Sequence, residues 1–242
     1  MITSPDNPKL KLVRKLRERK WREREGLFVS EGEDLLAAGR GAGVEPVEVL
    51  VAPGAPIAGE QVDERLLAEA SALGSGTRVI AIWPIPEPAD ETAPAGSVYL
   101  HGVADPGNVG TIVRTAAALS GSEVVLGPRS ADAWSPKAVR ASMGAVFARR
   151  PRRGGVESTA RPRIAFVAHD GDPLDSALDG LEAPPTICLG SERSGLGSDV
   201  LAACERSVTI PVRPGAESLN VAAVAAVALH RISSLAPAQG QS

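Results

Sequence analysis

Three separated segments each put polar or glycine-rich backbone just after a predicted strand, and no other feature limits the possible folds so strongly. They are Asp105-Pro-Gly-Asn-Val-Gly-Thr-Ile-Val-Arg114, Leu189-Gly-Ser-Glu-Arg-Ser-Gly-Leu196 and Ile210-Pro-Val-Arg-Pro-Gly-Ala-Glu-Ser-Leu-Asn-Val-Ala222. Open α/β sheets place ligands at the carboxyl ends of their strands. Three such loops within one small domain therefore predict one composite site.

The chain around them alternates in the way that fold requires. Strands are expected at 98–102, 123–126, 164–168, 186–189 and 207–212, with helices at 109–119, 137–143 and 219–235. Strands alternating with helices imply a mostly parallel sheet covered on both faces. The last helix is apolar around most of its circumference, so it belongs in the core or in a subunit interface. Upstream, the proline- and acid-rich stretch Trp83-Pro-Ile-Pro-Glu-Pro-Ala-Asp-Glu-Thr-Ala-Pro-Ala-Gly96 reads as a linker, because proline removes backbone donors and disfavours helix. It separates an N-terminal domain, 1–83, from a C-terminal domain, 97–242, with the linker at 84–96. The N-terminal domain is a small α/β unit with helices at 9–25, 33–38 and 63–73 and strands at 27–30, 47–52 and 79–83.

Composition narrows the partners. A chain of 242 residues with 43% hydrophobic content can bury a real core. Its abundant Ala, Gly, Pro and Arg reflect a GC-biased genome rather than a function. The net charge is −3, so any contact with nucleic acid must come from a local patch. Such a patch exists: Lys9, Lys11, Arg14, Lys15, Arg17, Arg19, Lys20, Arg22 and Arg24 cluster near the N-terminus. A helix that tracks phosphates and a solvated charged helix both fit that pattern. A second group, Arg149, Arg150, Arg152, Arg153, Arg161 and Arg163, reads as a mobile glycine-containing loop that closes over nucleic acid, or as a solvated insertion. Cys188 and Cys204 have neither metal spacing nor a disulfide framework, which points to a reducing cytoplasm. No metal-ligand cluster is visible, and His101, His169 and His230 are scattered. The longest apolar run, 221–229, is too short to span a bilayer.

Each loop also has a plain structural reading. Asn108 is placed to cap a helix whose free N–H groups can bind an anion, and Arg114 lies almost two turns further on. That pattern also describes an ordinary capped turn with a surface arginine. Gly190, Gly195 and Gly197 flank Glu192 and Arg193, and let the backbone approach a ligand; a turn with an exposed salt bridge looks the same. Ser218 and Asn220 can both cap the final helix. The order and spacing of all three segments together carry the signal.

Taken together, the segments resemble motifs 1, 2 and 3 of the SpoU (TrmH-type) RNA ribose 2′-O-methyltransferases of the SPOUT class. The matching residues are Asn108, Gly110 and Arg114, then Gly190, Glu192 and Gly195, then Ser218, Leu219 and Asn220, with Ala141-Ser-Met-Gly-Ala145 between. Ser4, Asn7, the basic helix and Phe28-Val-Ser-Glu-Gly32 more loosely resemble the substrate-binding domain of rRNA-directed members. The resemblance implies an α/β fold whose C-terminal parallel sheet is threaded as a trefoil knot, against the usual rule. It also implies a ribosomal-protein-like N-terminal domain that grips RNA, and a homodimer with the final helix near its interface. S-adenosylmethionine is the implied cofactor, contacted near Leu189, Gly190, Ile210 and Leu219, with Leu126 and Gly127 as additions.

The implied catalytic set is Arg114, Asn108, Glu192, Ser218 and Asn220, acting without metal. Arg114 is the main residue, Asn108 positions it or the ribose, Glu192 anchors the second loop, and Ser218 and Asn220 shape the cofactor side. The expected substrate is rRNA, with large-subunit RNA and an antibiotic-resistance role both within the family's range. A tRNA 2′-O-methyltransferase and a non-catalytic RNA-binding assembly factor are the alternatives. With 3% aromatic residues, backbone and shape contacts should dominate over base stacking.

Overall fold

The computed structural model describes residues 1–72, 76–87, 92–181, 183–213, 215 and 218–234. In chain order the elements are α1 (Pro8–Lys15), α2 (Arg19–Glu25), β1 (Leu27–Glu31), α3 (Glu33–Gly41), β2 (Glu48–Val51), β3 (Glu60–Gln61), α4 (Glu64–Ala70) and β4 (Val79–Pro84). There follow β5 (Val98–His101), α5 (Pro106–Leu119), β6 (Val124–Leu126), α6 (Pro136–Ala141), α7 (Ala145–Ala148), β7 (Arg152–Arg153), β8 (Arg163–Phe166) and β9 (Asp172–Pro173). The chain ends with α8 (Leu174–Ala177), β10 (Thr186–Gly190), α9 (Ser198–Ala202), β11 (Arg206–Thr209) and α10 (Val221–Ser233). These elements form two compact units: Met1–Glu87 with Asp132–Ala148, and Pro88–Ala131 with Arg149–Ser242.

The first unit is built on a four-stranded sheet in the order β1-β4-β2-β3, antiparallel except for the parallel β2–β3 pair. Leu10, Val13 and Leu16 recur at helical spacing on α1 and are buried against Val29, Leu50, Leu67, Ile80 and Ile82. The single helix expected over 9–25 is in fact two. Trp21 lies about three helical turns from Leu10 and so keeps the helical spacing, but the chain turns after Lys15. Arg22 holds the turn, donating to the carbonyls of Leu16 and Arg17 at 2.7 and 2.8 Å. Arg17 donates to three carbonyls at the end of α4, those of Glu69, Ala70 and Ser71. The helix expected over 63–73 starts one residue later, because Asp63 serves as its cap, accepting from the N–H groups of Arg65 and Leu66. Its carboxyl end stops where the buried Glu31 carboxylate accepts the Ala72 N–H at 2.7 Å; Leu73 lies outside the described residues.

Asp132–Ala148, which the sequence reading assigns to the second domain, packs with the first unit. Phe147 packs against Trp83 and Phe28 in tilted ring contacts with centroids 4.7 and 5.7 Å apart, and Trp134 against Phe28 at 4.8 Å. The Asp132 carboxylate accepts both Nε and Nη2 of Arg22, at 2.8 and 2.7 Å.

The second unit carries the seven-stranded sheet β7-β6-β5-β10-β8-β11-β9, parallel at every pairing. The parallel sheet anticipated from the sequence is present. Its order matters for function: β10, late in the chain, inserts between β5 and β8. The β5 and β10 ends therefore lie side by side, with Gly190 opposite His101. On one face α10 packs along α5 and touches β10, burying Val221, Ala222, Ala225, Ala228, Leu229 and Ile232. Part of the expected linker belongs to this unit: Ala93 is buried and pairs with Thr159, while Pro88–Glu91 lie outside the described residues.

Arg22 is 3% exposed and its carboxylate partner 12%. Removing one member of such a pair strands the other charge. Arg22→Ala should destabilise the chain by about 3–5 kcal/mol, read as a lower urea midpoint; a loss under about 1 kcal/mol would show that the pair is not needed.

Candidate functional site

The first loop turns into α5 three residues earlier than the sequence suggests. Asp105, not Asn108, is the cap: its Oδ1 accepts the N–H groups of Gly107 and Asn108 at 2.6 and 3.1 Å, and Pro106 fits the first helical position. This corrects the expected role of Asn108 and frees its carboxamide. Asn108 Nδ2 donates to Glu192 Oε1 at 2.5 Å, and its Oδ1 accepts from Asn220 Nδ2 at 3.2 Å. Asn220 Oδ1 in turn accepts the Ala222 N–H at 2.8 Å and caps α10. One chain of hydrogen bonds, Glu192–Asn108–Asn220, thus ties the three loops together.

The second loop is closed on itself. The Ser191 N–H donates to the Gly195 carbonyl at 3.1 Å and the Gly195 N–H returns to Ser191 at 3.0 Å. Gly195 has φ +63°, a left-handed conformation that favours glycine. Gly190 is required for a different reason: a Cβ there would run into the Gly195 carbonyl group and the Leu196 nitrogen. Closing the loop raises Glu192 at its tip towards Asn108.

Beside this network lies a cleft of about 320 Å³, within the range of small-molecule sites. Leu189, Gly190, Ile210 and Leu219, four of the six expected cofactor contacts, line it, as do Glu192 and Ser218. Leu126 and Gly127 do not. Leu126 ends β6 and Gly127 follows it, on the side of β5 away from β10. The Gly127 N–H donates to the Leu100 carbonyl, and a Cβ there would meet the Tyr99 hydroxyl.

Arg114 also lies off the cleft wall. It is exposed on α5 and makes no hydrogen bond or ion pair among the described residues. Phe166, Val167 and Ala168 line the cleft without having been singled out. They fall at the end of a strand anticipated at 164–168, and the loop after it, His169-Asp170-Gly171-Asp172, carries the polar and glycine signature that could have pointed to them.

The nine basic residues near the N-terminus divide sharply. Arg22 is buried and does not belong to a phosphate-facing surface. Arg17 is committed to the three α4 carbonyls. Lys9 sits between Glu48 and Glu60 at 2.7 Å each, and the hydrogen bonds to these carboxylates hold its ammonium pKa above the usual value. Lys11, Arg14, Lys15, Arg19, Lys20 and Arg24 keep outward-facing charge. The second arginine group is more structural than a mobile loop would be. Arg152–Arg153 form β7 beside β6, Arg163 is buried and donates to Thr159, and Arg161 pairs with Glu205. Among the described residues no cluster could hold a metal ion, and no helix is long and apolar enough to cross a membrane.

Comparison with known proteins gives two family matches: the SpoU rRNA Methylase family over residues 96–230 and the MRM3-like substrate binding domain over residues 7–82. The chain is 28% identical over 248 aligned positions to the 23S rRNA (guanosine(2553)-2'-O)-methyltransferase RlmP of Bacillus subtilis, covering 96% of this chain and 98% of that one. It is 30% identical to an uncharacterized tRNA/rRNA methyltransferase of Synechocystis sp., covering 95% and 92%. Among solved structures, the AdoMet-bound rRNA methyltransferase from Sinorhizobium meliloti superposes with a TM-score of 0.85 at 25% identity, covering 98% of each chain.

The tight approach at Gly190 generates a prediction. Gly190→Ala forces the second loop open, at a cost of about 1–3 kcal/mol. The variant should show a lowered melting temperature and lose the ligand affinity of the cleft. An unchanged melting temperature would mean that the loop absorbs a methyl group freely.

Proposed function

The chain belongs to the SpoU rRNA methylase family, and from that premise we propose that it transfers a methyl group from S-adenosylmethionine to a ribose 2′-hydroxyl of ribosomal RNA, with large-subunit RNA as the substrate. The observation that carries this reading is the Glu192–Asn108–Asn220 chain beside a cleft lined by Leu189, Gly190, Ile210 and Leu219. The cleft suits the cofactor. Strand-end backbone at Leu189–Gly190 supplies polar groups, the leucine and isoleucine side chains supply an apolar bed, and the space beside Gly190 admits no larger residue. When bound there, S-adenosylmethionine supplies an electrophilic methyl group.

The remaining work is positioning and proton removal. A guanidinium is too stable a cation to serve readily as a base. Arg114, held by a neighbouring RNA phosphate, therefore orients the hydroxyl and stabilises the negative charge that develops on its oxygen, while the hydroxyl proton leaves to solvent water. Asn108 stands between Glu192 and Asn220, so its carboxamide sets the spacing of the loops around the ribose. Glu192 holds the second loop to α5, and Ser218 shapes the cofactor side of the cleft.

The same reading includes a homodimer through the second unit, supported by Leu119 on α5 and Val227 on α10, which are 39% and 43% exposed. It also includes a knotted sheet, supported by the insertion of β10 between earlier strands, and a cytoplasmic location with the RNA. The substrate-binding domain match over 7–82 and the full-length similarity to an rRNA enzyme favour rRNA over tRNA.

Arg114→Ala should lower methyl transfer to rRNA by about 10²-fold or more while leaving S-adenosylmethionine affinity near wild type. Radiolabel incorporation mapped to alkali-resistant dinucleotides, beside cofactor titration, checks this. Near-normal turnover by the variant would overturn the role given to Arg114.

A further inference from the structure

We propose that Trp21, with Lys15, Lys20 and Arg24 around it, is a stacking site for one unpaired nucleotide of the RNA; the proposal rests on the RNA-substrate reading above.

The chain has three Trp, one Tyr and three Phe. Trp83, Tyr99, Phe28, Phe147 and Phe166 are buried, and Trp134 packs against Phe28 in a tilted ring contact. Trp21 is partly exposed and contacts no other aromatic ring. Its indole N–H donates to no described residue. It also lies outside the hydrophobic cluster that α1 helps to form.

Instead its ring is surrounded by charge. Lys15 Nζ lies 4.6 Å from the ring centroid, the Arg24 guanidinium carbon 5.1 Å and Lys20 Nζ 5.8 Å. Stability alone gives no reason for this crowding. Each cation–π contact is modest at an exposed site, and the three cations repel one another. Lys15 has no carboxylate partner among the described residues. Lys20 and Arg24 have only exposed ones, Glu18 at 2.7 Å and Glu25 at 3.8 Å, and such pairs yield readily.

A nucleotide resolves the conflict. Its base offers a π-face to the indole, and its phosphate neutralises the displaced cations. Recognition of RNA by splayed bases uses this combination. The platform is also held in place. Arg22, the next residue, fixes α2 through Asp132 and through the carbonyls at the turn from α1, which carries Lys15. The backbone that carries Trp21 is therefore fixed before RNA arrives, and only side chains are left to order on binding.

The test uses the full chain with a single-stranded RNA 12-mer and a blunt RNA duplex of the same length. Intrinsic fluorescence and binding are read for the wild type, Trp21→Phe and Trp21→Ala. S-adenosylmethionine affinity and melting temperature report that each variant is folded. The single strand should quench wild-type fluorescence strongly and the duplex weakly, and Trp21→Phe should abolish the quench while keeping most of the affinity. Trp21→Ala should bind the single strand about tenfold more weakly. Affinity of Trp21→Ala within about twofold of wild type, or equal quenching by the duplex, overturns the site and leaves the methyltransferase reading standing. Failure of the wild type to bind either RNA overturns the RNA-substrate reading and this site together.

Discussion

Strand β10 is held between β5 and β8 by two parallel ladders, and the whole candidate site depends on that insertion. The ladders bring the end of a late strand level with the end of an early one, Gly190 beside His101. The loop after β10 then faces the first turn of α5, although Asn108 and Glu192 are far apart in the chain. Their 2.5 Å hydrogen bond exists only because the backbone pairing has already set the spacing of the two loops. Such a parallel pairing needs buried strands, and β5 and β10 supply them: every residue of Val98–His101 is buried, as is Thr186–Leu189.

The α10 helix extends the same constraint. Its packing along α5 brings its capping residue, Asn220, within reach of Asn108. The cap and the site are therefore the same residue. Asn220 satisfies the helix end through its Oδ1 and holds Asn108 through its Nδ2. A single hydrogen bond between exposed groups contributes only about 1 kcal/mol, so the network positions the loops rather than stabilising the fold. The apolar face of α10 supplies the stability.

The first unit shows how much charge a fold can absorb. Nine basic residues near the N-terminus looked alike, but Lys9, Arg17 and Arg22 are taken by carboxylates and carbonyls of the same unit. Arg22 resembled its neighbours because nothing nearby in the chain reveals Asp132. The break between α1 and α2 was not legible, since Trp21 lies about three helical turns from Leu10 and keeps the helical spacing. Nor were the carbonyl contacts that hold the turn.

By itself the sequence determined the parallel α/β architecture, the three strand-end loops and most of the residues around the cleft. Those depend on local periodicity and on turn chemistry, which short segments encode. The cap of α5 was also local, yet it was misplaced, because Asp105 and Asn108 are both good caps and only the helix start decides between them. Tertiary structure alone decided the rest: the insertion of β10, the exclusion of Leu126 and Gly127 from the cleft, the packing of 132–148 with the first unit, and the pairing of Arg22 with Asp132. Each depends on which strands and side chains meet across long stretches of chain. That choice follows from how the buried surfaces of separate elements fit together, which no short segment contains.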